Sequence, residues 1–139
     1  MDKKKKILDF LNGLLLGVLS TVNEQNKPES AVMGFGVMDN LELFFGTNNF
    51  SRKYKNLKSH PNISFVIGWD NDVTVQYEGV ASEFTNNSVE AYKRIYFMKN
   101  PEAKKYEKYP GQTFFKVIPK WIRYSDLSED PGEVFEVTF

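Results

Sequence analysis

The chain has no cysteine, which excludes disulfides, thiolate nucleophiles and cysteine-held zinc or iron–sulfur centres. It has one histidine, His60. No site can therefore be built from two histidines of one chain, and no Ser–His–Asp arrangement or paired-carboxylate motif can be drawn. Net charge is missing too, because 18 Lys and Arg balance 18 Asp and Glu. A neutral chain has no general attraction for nucleic acid or anionic lipid, although a local basic patch can still take a small anion. Long apolar runs are also absent. The stretch Leu14–Leu19 falls far short of the roughly 18 residues that a membrane span requires. Lys3–Lys6 lie ahead of it, but Asp9 and Asn12 intervene and no small-residue cleavage pattern follows, so it does not read as a signal peptide. The expectation is a cytoplasmic protein that engages neither nucleic acid nor membrane.

What is present points to a β-rich domain. At 139 residues the chain is long enough for one core without staples, and residues 1–139 are read as a single domain. Twelve Phe and seven Tyr favour pleated, half-buried surfaces. Ile7, Leu8 and Leu11 recur at helical spacing, predicting a short helix over Lys4–Asn12 closed by Gly13. Strands are predicted at Leu15–Val22, Ser30–Met38, Leu41–Phe45, Ile63–Trp69 and Val73–Phe84, the last with a bulge at Gly79. Asn23–Pro28, Asp39–Asn40 and Asp70–Asp72 read as turns. Ser88 is read as the cap of a second helix carrying Val89, Tyr92, Ile95 and Tyr96, with a further short helix over Glu102–Tyr109. Phe114–Ile118 and Trp121–Tyr124 are two strands around Pro119. Glu133–Phe139 alternates as a last strand or a partner-binding extension. Many strands joined by tight turns make a closed or partly closed antiparallel barrel.

The segment with chemical content starts at Leu43-Phe-Phe-Gly-Thr47. It continues through a loop, Gly46–Asn49, into a helix that Ser51 caps and that runs to about Ser59 before His60-Pro61. Arg52 and Lys53 lie in that helix's first turn, where free backbone N–H groups and a partial positive charge favour an anion, phosphate above all. Arg52, Lys53, Lys55 and Lys58 follow one another with no acidic residue between them. The same pattern also describes a solvated, well-capped helix face.

Phe45-Gly46-Thr47, Ser51-Arg52-Lys53, Asn56-Leu57 and Pro61, followed by an apolar strand ending at Trp69, resemble the flavin-phosphate segment of the pyridoxamine 5'-phosphate oxidase-like split barrels. The resemblance covers about Leu15 to Phe84, with a weaker echo at Phe115–Asp126. It implies a mainly β fold, a six-stranded antiparallel FMN-binding split barrel with short helices, working as a homodimer with FMN at the interface. Thr47 and Ser51 would then hydrogen-bond the phosphate, and Arg52 and Lys53 would pair with its charge. Phe45, Gly46 and the strand backbone at Met33 and Gly34 would border the flavin. The glycines of Ala31-Val-Met-Gly-Phe-Gly36 suit close approach of a ring, and equally a barrel bend or bulge.

Thr74 falls where the true oxidase has a glutamine near the flavin. Trp121 falls on the family's late strand, where its indole stacks on flavin, closes the interface or packs in the core. Trp69 is read as core and His60 as a helix cap. The departures are specific. The oxidase has an arginine and a lysine where this chain has Ala31 and Gly36, and its carboxy-terminal Arg-x-His clamp has no counterpart. The resemblance therefore implies an FMN-dependent oxidoreductase acting with a small-molecule substrate or electron donor, and not that particular oxidation. The alternative is a non-catalytic carrier of flavin or a tetrapyrrole such as haem.

Overall fold

Alternation is clearest in the middle of the chain, and the barrel is built around it. In the computed structural model, which describes residues 2–139, Val75, Tyr77, Gly79 and Ala81 of one long strand all face inward, with Gln76 and Glu78 outward. The elements are α1 (Lys3–Asn12), β1 (Leu16–Val22), β2 (Pro28–Gly34), β3 (Gly36–Val37), β4 (Leu43–Asn48), α2 (Arg52–Ser59), β5 (Asn62–Ile67), β6 (Val73–Glu83) and α3 (Val89–Lys99). A 3-10 turn (Pro101–Tyr106), β7 (Gln112–Asp126) and β8 (Glu133–Thr138) complete the chain. The antiparallel sheet runs β2-β1-β5-β6-β7-β4-β3, and β8 pairs with β7 beyond β4. It curls around Leu19, Phe45, Phe65, Tyr77, Phe115, Val117 and Ile122. Ile7 and Leu11 of α1 close that core, and Asp2 caps α1 by accepting the Lys5 N–H at 3.0 Å. The Tyr77 hydroxyl, fully buried, reaches the Leu41 carbonyl at 2.8 Å. Burial pushes its pKa far up.

The mainly β split-barrel expectation holds, with eight strands in place of six. Phe35 breaks the second strand into β2 and β3, and the tail adds β8. Several local expectations are corrected. β4 starts at Leu43 and continues through Gly46–Asn48, read as loop, because that stretch pairs with Gln112–Phe114. Leu41 belongs to the preceding turn, with φ of 70° and its N–H on the Met38 carbonyl. β5 stops at Ile67, because Gly68 turns the chain at φ of 87°. Trp69, expected in the core, is 55% exposed. Ser88 makes no side-chain cap to α3, and a 3-10 turn replaces the helix expected over Glu102–Tyr109.

Pro119 does not divide β7. The register passes from Gly79↔Pro119 to Glu78↔Trp121, so Lys120 is the extra residue and the bulge sits on β7, opposite the expected glycine. A bulge is where a sheet tolerates a proline with no N–H to give. The inward set accordingly changes from Phe115, Val117 and Pro119 to Ile122 and Tyr124. His60 caps α2 as expected, its N–H on the Asn56 carbonyl at 2.7 Å.

Candidate flavin-phosphate site

β4 delivers Thr47 to the start of α2, where the cap is satisfied from within. Ser51 Oγ accepts the Tyr54 N–H at 3.1 Å and donates to the Asn48 carbonyl at 3.0 Å. Thr47 Oγ1, buried, lies 2.9 Å from Ser51 Oγ. The first turn is thereby fixed against the end of the barrel. Of the four cations on α2, three stand beside carboxylates: Arg52 at 3.4 Å from Glu29, Lys55 at 3.6 Å from Glu24 and Lys58 at 3.1 Å from Glu83. Among the described residues Lys53 has no carboxylate within ion-pair distance. Burial first, and then the Arg52 guanidinium, hold its ammonium below the ordinary lysine value.

Lys53 stands between two concavities. A cleft of about 540 Å³ is lined by Met33, Thr47, Tyr96, Phe97, Tyr106 and Phe114, among others. A smaller pocket of about 110 Å³ is lined by Leu19, Thr21, Glu29, Ser30, Ala31 and Arg52, and Lys53 borders both. The cleft's aromatic wall is α3 with the turn after it, docked on the outside of the sheet. Phe44, Phe84, Tyr92, Tyr96 and Phe114 form this outer cluster, Phe44 and Phe114 stacked at 5.5 Å. Lys93 sits 3.1 Å from Glu107 and 4.5 Å over the Phe114 ring. Lys99 donates to the Leu11 carbonyl at 3.1 Å, with its ammonium pushed down to about 8 by burial.

The sequence-predicted residues divide into two groups. Met33, Gly46, Thr47 and Lys53 line the cleft, Ser51 caps the helix behind it, and Arg52 lies on the far side in the smaller pocket. Gly34 faces Tyr96, whose Oη would lie 2.7 Å from an added Cβ, and Gly46 likewise makes room for Gln112. At Gly34 the close approach is that of a tyrosine of the same chain. Phe45 is 0% exposed, its ring inside the core between Phe65 and Phe115. Thr74 pairs with Ser125 at the other end of the β6–β7 ladder, and Trp121 lies on the outer face, donating to Glu136 at 2.6 Å. Sequence reasoning missed Tyr96, Tyr106, Gln112 and Phe114. The aromatic spacing of α3 announced a packed face, but nothing in it named the surface covered.

A family model described as pyridoxamine 5'-phosphate oxidase matches residues 4–126. The chain belongs to the pyridoxamine 5'-phosphate oxidase family. No curated protein matches this family member. Its fold is shared with the General Stress Protein 26 from Bacillus anthracis (TM-score 0.67, 28% identity, 99% of this chain and 100% of that one). It is shared also with a heme binding protein from Mycobacterium smegmatis (0.82, 15% identity, 99% of this chain) and with ChuZ from Campylobacter jejuni (0.82, 15% identity, 97% of this chain). This chain spans only 59% and 58% of those two proteins. No helix among the described residues is long and apolar enough to cross a membrane.

The donor set of this family member fits a flavin phosphate. It offers one half-buried ammonium without a carboxylate, a capped helix start, and an aromatic cleft whose volume is in the range of small-ligand sites. Arg52 and Lys53 are the residues that would pair with the phosphate charge, and Thr47 and Ser51 would hydrogen-bond it only on releasing the bonds their hydroxyls make within the cap. The cations of the true oxidase remain absent at Ala31, on the wall of the smaller pocket, and at Gly36, packed against Tyr96.

Proposed function

We propose that the chain binds FMN and works as an FMN-dependent oxidoreductase on a small molecule. The observation that carries this reading is Lys53, a half-buried cation with no carboxylate at ion-pair distance among the described residues, set between a polar pocket and an aromatic cleft. A partly desolvated charge gains from a counter-charge brought beside it. Bound FMN would supply hydride or electron transfer, while the protein positions it and shields it from water. Lys53 supplies the charge-assisted bond, and Tyr96, Phe97 and Phe114 supply apolar surface. No side chain of the site is assigned a proton-transfer role.

The absorption spectrum of the purified protein tests this. Bands near roughly 370 and 450 nm are expected from the flavin itself, together with loss of those bands on adding a reduced nicotinamide. An intense Soret band would instead favour a tetrapyrrole-binding protein, as the heme binding protein from Mycobacterium smegmatis shares this fold. Pyridoxamine 5'-phosphate is expected to give negligible turnover, since neither Ala31 nor Gly36 can pair with its phosphate.

The chain also works, in this reading, as a homodimer. Val32, Val18 and Val66 stand side by side across β2, β1 and β5, with Leu16 two residues along on the same face. Leu16, Val32 and Val66 are exposed. A contiguous apolar row on a sheet face is an association surface. Sedimentation is expected to give a dimer at micromolar concentration, and a flavin-loaded monomer there would overturn it.

A further inference from the structure

Glu29 sits on β2 with its side chain 17% exposed, and both of its oxygens are held. Asn56 Nδ2 donates to Oε1 at 2.8 Å and Asn23 Nδ2 to Oε2 at 3.1 Å. Asn56 is itself 5% exposed and also donates to Thr21 Oγ1 at 3.0 Å, so the network is anchored between α2 and β1. Those two amides, and then Arg52, keep the Glu29 carboxyl below the usual carboxylate range. The carboxylate is thus rigid and charged. Arg52, whose Nε lies 3.4 Å from Oε1, is the opposite: its side chain is 77% exposed. Both groups line the pocket that Lys53 borders.

We propose that Glu29 competes with the ligand's phosphate for Arg52, setting how tightly the site takes an anion. This rests on the phosphate reading of Arg52 and Lys53. A phosphate that pairs with Arg52 shares its guanidinium with Glu29, and it meets the charge of a carboxylate that two amides prevent from turning aside. An exposed ion pair is weak, so the sharing is available to a dianion. Its penalty nevertheless subtracts from the affinity that Lys53 and the helix start provide. Glu29 in this role is an affinity-setting residue, with no part in electron transfer.

Glu29→Gln is the direct test, read as FMN and riboflavin dissociation constants by fluorescence quenching, with a thermal melt to establish folding. The glutamine keeps the Asn56 bond, loses the Asn23 bond and removes the charge. FMN should bind about three- to tenfold more tightly, from the loss of a competing pair and of one like charge near the phosphate, with riboflavin unchanged. In an Arg52→Ala background the gain should fall to about twofold or less, because coupled residues do not add. A folded Glu29→Gln protein whose FMN affinity is unchanged or weaker overturns the proposal.

The native chain supplies a second measurement. The Arg52 Nε–H resonance, assigned by its loss in Arg52→Lys, should move as FMN saturates the site, and a stationary signal is equally contrary. A native protein that does not prefer FMN over riboflavin would instead remove the phosphate reading itself, so the two failures are distinguishable.

Discussion

Lys53→Ala is expected to weaken FMN binding by about tenfold to a hundredfold, the loss of one charge-assisted bond of roughly 1.5–3 kcal/mol. Riboflavin, which lacks the phosphate, should already bind weakly to the native protein and lose little more. Lys58→Ala is the control within the same helix, since its ammonium is 3.1 Å from Glu83 at the end away from the cap. Arg52→Ala should cost less than Lys53→Ala, because Arg52 is exposed and shared with Glu29. A pH series adds a signature. Lys53 already titrates below an ordinary lysine, and pairing with a phosphate would raise it again. FMN affinity should therefore fall as pH rises through the Lys53 pKa, and fall earlier than for an unshifted lysine. Isothermal titration with both ligands checks these points. Equal losses at Lys53 and Lys58 would mean a diffuse positive field with no dedicated site.

Phe45→Ala should act almost wholly on stability. Its ring is stacked on Phe115 at 5.6 Å and lies 6.0 Å from Phe65, with no exposed surface. Truncating a core phenylalanine costs about 3–5 kcal/mol, a large part of the 5–15 kcal/mol that holds a domain folded. Denaturant unfolding should show an earlier midpoint. The FMN dissociation constant, measured where the variant is still folded, should move far less than for Lys53→Ala. A variant that unfolds normally but loses FMN would place the Phe45 ring against ligand and not in the core.

These two residues also mark what the sequence made legible. The Ser51–Lys53 helix start could be read directly, because a cap and a first-turn charge are local features. That Lys53 alone lacks a carboxylate could not. Glu29, Glu24 and Glu83 reach the other α2 cations from β2, from the turn after β1 and from the end of β6. Phe45 lies in the same motif, but alternation alone does not say which face of β4 turns to the core until β7 is paired beside it. The aromatic wall of the cleft was hidden for a related reason. Tyr96 and Phe114 belong to different elements that are brought together on Phe44, and so to one cleft, only when α3 docks outside the sheet. Glu29 gave no signal, since an acidic residue after a turn proline is commonplace until Asn56 is seen beneath it.

The extra residue at Lys120 has a geometric consequence for the surface of the molecule. Phe114 and Trp121 are an odd number of positions apart, and in an unbroken strand they would look out of opposite sides of the sheet. The inserted residue cancels that parity: Phe114 lines the cleft outside the barrel, and Trp121, beyond the bulge, faces outward with it. The cleft wall and the indole are therefore stations on one outer surface, so a body laid along that side of β7 could meet both without crossing the core.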